Sequence, residues 1–146
     1  LALDDIALRL GGAVAAGILI GLNRDLQNKP IGMRTLGLVS LGAAAVAVGT
    51  IQVPGMTENP DAMSRLVQGL IQGIMAGISF IGAGVILHDQ NAKAVHGLTT
   101  AATVWVAAGL GIACGLAAWP TAAIALIFAL LLLIGLGKLE AWLWGD

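Results

Sequence analysis

Long apolar stretches, broken by short clusters of charged and turn residues, divide the chain into five segments of membrane-span length. A hydrocarbon core takes about 20 residues of helix, with about 17 to 25 tolerated. The charged positions fit spans at about 6–22, 36–53, 66–87, 97–118 and 119–136, with Arg9 near one end of the first. The expected fold is therefore all-α, a polytopic transmembrane helical bundle of five spans forming a single domain over residues 1–146. Small residues recur at every fourth position inside these spans: Ala13, Gly17 and Gly21; Gly69, Gly73 and Gly77; Ala107, Gly111 and Gly115. That spacing places each set on one helix face. Small-residue faces let helix backbones approach, so that dispersion replaces the missing hydrophobic drive. Packing within a compact bundle is the expected role of all three rows, in preference to a conduction path.

Composition narrows the class. Apolar residues make up 58% of the 146, charged residues 10%, and the mean hydropathy is +0.94. A water-facing globular domain carries about 25% charged residues, so this chain could not coat such a surface. The net charge of −1 excludes the clustered basic face of a nucleic-acid binder. Cys114 is the only cysteine, which rules out an intrachain disulfide and a cysteine zinc cage. Residue 1 is leucine, so residues are expected to precede it in the natural chain, with room for a removed leader.

The basic residues give a direction. Arg24, Lys29, Arg34, Lys93 and Lys138 fall on one side of the five spans, and Arg9 and Arg65 on the other. Basic loops stay in the cytoplasm, which predicts an external N-terminus and a cytoplasmic C-terminus. Trp119 before Pro120 suits the outer interface, with the proline in a helix's first turn, and Trp142 and Trp144 suit the inner headgroup belt. The two hairpins also echo one another. Ala16-Gly17-Ile18 and Gly21 parallel Ala76-Gly77-Ile78 and Gly82, while Gly32-x-x-Thr35 parallels Gly97-x-x-Thr100. A repeat of that kind would be parallel, as in some transporters; shared Gly/Ala composition is the plainer explanation.

The polar positions inside or beside the spans are the candidates for chemistry. Arg24 and Arg34 flank the first cytoplasmic loop, either as topology anchors or as a site for an anion or a partner's carboxylate. Thr99, Thr100 and Thr103 open span four; they either bond back to the preceding turn or line a polar crevice with Ser79 of span three. Gln68 and Gln72 share a face of span three and suit a dimer contact or the Thr57–Asn59 loop. His88, Asp89 and His96 lack local metal-ligand spacing and read as solvated, so no metal and no cofactor are expected. No acidic residue lies within the spans, which weighs against a magnesium channel built by one copy. An enzyme is not expected: there is no Ser-His-Asp set, no carboxylate pair and no phosphate loop, and Gly82-x-Gly84 is too short a glycine pattern to count.

Several segments together carry a family resemblance. They are Gly21-Leu22-Asn23-Arg24 with Gly32-Met33-Arg34-Thr35, and Gly77-Ile78-Ser79-Phe80-Ile81-Gly82-Ala83-Gly84-Val85-Ile86. Gly97-Leu98-Thr99-Thr100-Ala101-Ala102-Thr103-Val104-Trp105 and Gly111-Ile112-Ala113-Cys114-Gly115 complete the set. The chain resembles the MgtC/SapB membrane family across most of spans one to four, and in span five only by hydropathy. The resemblance implies a multi-pass protein of the bacterial inner membrane with a regulatory role in magnesium-limited growth or virulence. It further implies binding to another inner-membrane protein, such as ATP synthase, and longer members add a soluble cytoplasmic domain. This chain, ending at Asp146, looks like a short member or the transmembrane part of a longer one. Partner- or solute-binding candidates are Arg24, Arg34, Thr35, Ser79, Thr99 and Thr100, and a homo-oligomer is expected. The alternative is a small-ion or solute transporter built on the two parallel hairpins, with Arg34, Ser79, Thr99 and Thr100 near its path.

Overall fold

The computed structural model describes residues 1–55, 58–87 and 97–144. Its elements are α1 (Leu3–Leu26), α2 (Met33–Ile51), α3 (Pro60–Leu87), α4 (Leu98–Gly115) and α5 (Trp119–Leu130). The last continues through a π-helical stretch (Leu131–Leu136) into α6 (Gly137–Trp144). Five helical segments are long and apolar enough to cross a membrane, and no strand occurs among the described residues. The all-α, five-span architecture read from the hydropathy pattern is present.

Helix boundaries move where local chemistry intervenes. The side-chain oxygen of Asn59 accepts the backbone N–H groups of Asp61 and Ala62, both at 3.1 Å, so α3 begins at Pro60 rather than at Leu66. α4 stops at Gly115 instead of reaching residue 118, because Ala117 turns left-handed at φ 57°. Its N–H bonds the Cys114 carbonyl at 3.0 Å, and that of Ala118 bonds Ala113 at 2.8 Å. α1 ends in the same Schellman arrangement, with Asn28 at φ 52° and the Lys29 N–H bonding the Arg24 carbonyl at 3.0 Å. The fifth span runs past residue 136, because the π turn carries the chain on into α6 without a break.

The core is a three-helix unit. α4 is its most buried helix, with 56% of its apolar window buried, and α2 is held between α1 and α4. A Cβ on Gly17 would lie 2.5 Å from the Leu36 carbonyl oxygen, and one on Gly21 would overlap the Met33 backbone. On the other side of α2, a Cβ on Gly111 would overlap the Ser40 backbone, and one on Gly115 would lie 2.7 Å from the Ala47 Cβ. Ile20, Leu36, Val104, Ala107 and Leu110 fill the space between these crossings. At the opposite end of α1, Arg9 pairs with Asp5 at 3.0 Å and donates to the Gly115 carbonyl at 3.0 Å, covering the C-terminus of α4 with a cation.

The third glycine row behaves differently. Gly69, Gly73 and Gly77 are exposed and nothing lies within 4 Å of where their Cβ atoms would be. Leu70, Ile74 and Ile78, one position further along, supply the stripe that packs inward. A shift of one residue is about 100° of rotation, so this helix cannot pack both stripes on the same neighbours. Only 11% of the apolar window of α3 is buried. The hairpin echo is therefore not matched in environment: Gly17 is jammed against α2, whereas Gly77 is open.

Two outcomes are expected for detergent-solubilised protein. Ala117→Gly should raise stability by about 1 kcal/mol by relieving a left-handed alanine; a fall in the unfolding midpoint would contradict the turn. Gly111→Leu should cost about 3 kcal/mol or more by forcing α2 from α4, whereas Gly73→Leu should stay within about 0.5 kcal/mol. Equal losses at the two positions would contradict the packing described.

Candidate functional site

The last turn of α1, the loop after it and the first turns of α2 and α4 meet at one end of the bundle. Ile20 and Arg24 lie one helical turn apart, so the side that seats Ile20 in the core also turns Arg24 inward. Arg24 is 4% exposed. Its Nη2 donates to the Thr100 hydroxyl, 76 residues away, and to the Pro30 carbonyl at 3.1 Å. Thr100 is itself buried. The arginine thus ties α1 to α4 and to its own following loop, and the Arg24 Nε is buried without a partner.

That loop is folded tightly enough to bring Pro30 back. Asn28 and Ile31 both have positive φ, at 52° and 63°, and for a β-branched residue this is a marked departure. Asp25 receives the Met33 N–H at 3.0 Å, placing a carboxylate on the N-terminus of α2. A side chain at Gly32 would overlap that carboxylate. Arg24 and Asp25 therefore face different elements: one locks α1 to α4, the other locks α1 to α2. Among the described residues the only ion pair is Arg9–Asp5, and the oxygens that hold the buried guanidinium are the neutral ones of Thr100 and Pro30.

The remaining candidates separate from this pair. Arg34, Thr35, Ser79 and Thr99 are exposed. The Ser79 hydroxyl donates to the Met75 carbonyl at 2.8 Å, and Thr103 donates to Thr99 at 2.7 Å. Both hydroxyls are satisfied within their own helices, so no Ser79–threonine crevice is formed by them. Gln68 and Gln72 face outward on α3. His88, Asp89 and His96 lie outside the described residues, and among those described no group of three His, Cys, Asp or Glu side chains could hold a metal.

A cleft of about 200 Å³ lies between α1, α4, the end of α5 and the π turn, and Arg24 is not part of its lining. It is lined by Ile20, Thr99, Thr103, Val106, Ala129 and Leu133, among others. Two structural residues were not singled out from the sequence. Asp25 caps a helix eight residues away, which no local spacing marks. Ser40, fully buried with its hydroxyl unpartnered, was visible only as a single hydroxyl in an apolar run.

The Arg24–Thr100 bond predicts an asymmetry between neighbouring threonines. Thr100→Val removes an acceptor from a buried cation and should cost about 1.5–3 kcal/mol. Thr103→Val loses only a bond within its helix and should cost less than about 0.5 kcal/mol. Unfolding of the two variants in one detergent measures both, and the reverse order would contradict the clamp.

Comparison with known proteins places the chain. The MgtC family model matches residues 10–142. Protein SrpB of Synechococcus elongatus is 38% identical over 146 residues, covering 94% of this chain and 79% of SrpB. Protein SapB of Bacillus subtilis is 37% identical, covering 87% of this chain and 54% of SapB. Protein MgtC of Salmonella typhimurium is 38% identical, covering 84% of this chain and 48% of MgtC. The chain thus spans about half the length of SapB and MgtC. No solved structure gives a significant match. A family match over nearly the whole chain, with three such relatives, places this five-span protein in the MgtC family.

Proposed function

We propose that the protein is a regulatory component of the bacterial inner membrane that acts by binding another integral membrane protein. Its contact face is the outward side of α3. The observation that carries this reading is the open glycine row. Gly69, Gly73 and Gly77 meet nothing, while the equivalent rows on α1 and α4 are fully engaged. Gln68 and Gln72 are exposed beside that row. An amide in hydrocarbon gains by finding a partner, and small residues permit a second helix to approach closely enough to supply one.

The exposed Arg34 stands at the Arg24 end of the bundle, which the basic-residue distribution assigns to the cytoplasm. It offers a forked cation to a partner's carboxylate at the headgroup level. Growth with scarce magnesium, or virulence, is the setting that the family resemblance implies, with ATP synthase as the implied target. Transport is less well supported. The cleft between α1, α4 and the π turn is walled mostly by apolar side chains, and the Thr103 hydroxyl in it is already bonded, so it offers an ion little to replace its water.

Affinity capture from native membranes of cells grown with scarce and with ample magnesium tests the proposal. A stoichiometric membrane protein should be recovered with the unchanged chain and lost with Gly73→Leu, and its recovery should be reduced with Arg34→Ala. Retention of the partner by Gly73→Leu, or recovery of the chain alone, would overturn it.

A further inference from the structure

The fifth span is the one least joined to the bundle by its own side chains. Its apolar window is 6% buried, and Ala122 is the one buried residue of α5. Nearer the π turn, Leu126, Ala129, Leu130 and Leu133 pack on the core from partly exposed positions. The cleft of about 200 Å³ lies in this seam. Ile20, Ala102 and Val106 stand on one side of it, and Ala129, Leu132 and Leu133 on the other.

The chemistry of the walls decides what can fill it. A buried water makes about three hydrogen bonds to polar groups. Here the only hydroxyls are those of Thr99 and Thr103, and Thr103 already donates to the Thr99 carbonyl. Emptiness is no better, because atoms lining a void lose their dispersion partners. An apolar cavity of about 150 Å³ in a soluble protein stays dry and takes up benzene instead. Another helix is too thick, at about 10–12 Å across with its side chains. A charged headgroup finds no counter-charge, since the lining holds no charged side chain. What remains is a slim, flexible hydrocarbon.

Position and direction agree with that occupant. Along α4 the lining runs inward from Thr99, near the start of the helix, to Val106. That is roughly 10 Å of helix, which fits within one leaflet of a hydrocarbon core about 30 Å thick. The exposed Ala102 and Leu132 stand at its margin, so the cleft is open to the surrounding bilayer. Leu132 and Leu133 belong to the π-helical stretch, and such departures from α-helical winding are frequent at functional sites.

We propose that the cleft is the resident site of one acyl chain of a bilayer phospholipid, held for its hydrocarbon and not for its headgroup. The chain completes the packing of the fifth span on α1 and α4 by supplying the dispersion contacts that the protein's own side chains leave unmade. The site is independent of the α3 contact face, so either can fail without the other.

The test uses the full chain purified in a sterol-based detergent, which has no straight alkyl chain to occupy the cleft. Native mass spectrometry then follows phosphatidylglycerol and phosphatidylcholine of identical tails, added separately. Each should be retained through delipidation, one molecule per chain and to the same extent. Ala102→Phe fills the cleft from an exposed position outside the packed core, and Ala129→Leu fills it from the opposite wall. Both variants should lose both lipids while keeping the unfolding midpoint. Leu38→Phe, on the exposed side of α2 and outside the cleft, should retain them. Absence of a retained lipid, a marked preference for one headgroup, full retention in both filled variants, or equal loss in Leu38→Phe would each overturn the proposal.

Discussion

Everything else in this structure depends on α2 lying at backbone-contact distance between α1 and α4. In lipid there is no hydrophobic drive to bring helices together, so association rests on dispersion and on the few polar bonds that cross between helices. Both contributions fall off steeply with distance. Gly17 and Gly21 on one side, and Gly111 and Gly115 on the other, remove the side chains that would hold α2 away. Once α1 and α4 are fixed through α2, the Arg24 side chain reaches Thr100 and the Arg9 side chain reaches the Gly115 carbonyl. The two arginines then fasten opposite ends of the same helix pair. Neither bond could form across a wider crossing.

The same constraint accounts for what is left over. A helix centred in the bundle must bury most of its surface, and α4 does. α3 and α5 reach the unit from outside, with 11% and 6% of their apolar windows buried. α3 uses Leu70, Ile74 and Ile78 to hold on to the core, which leaves its glycine row and its glutamines facing outward. α5 touches the unit near Trp119, which lies over Gly12, and along Ala129 and Leu133. Between those contacts and α4 the cleft remains. The asymmetry of the bundle, a tight three-helix unit with two loosely attached spans, is the source of the open face on α3.

The number of spans, their approximate limits and the importance of four-residue glycine spacing were legible in the sequence, because hydropathy and helical period act locally. Which glycine row would be buried was not. Gly73 and Gly111 sit in similar surroundings along the chain, and only the position of a neighbouring helix distinguishes them. Arg24 shows the same limit. At the end of a span a basic residue is expected to reach outward to headgroups, and whether it turns inward instead is decided by Thr100, far along the chain. The left-handed Ala117 ends α4 short of expectation, while α1 runs on past Leu22 to a left-handed stop at Asn28. Asparagine announces such a turn; alanine does not.

The central proposal is that the outward side of α3 binds another membrane protein while the outward side of the three-helix unit faces lipid. Placing a photo-crosslinking residue at Gln72 on α3, or at Leu38 on the exposed side of α2, tests it in native membranes. The account predicts a discrete protein adduct from position 72 and only lipid adducts from position 38. Protein adducts from position 38 alone, or lipid adducts alone from both positions, would contradict it.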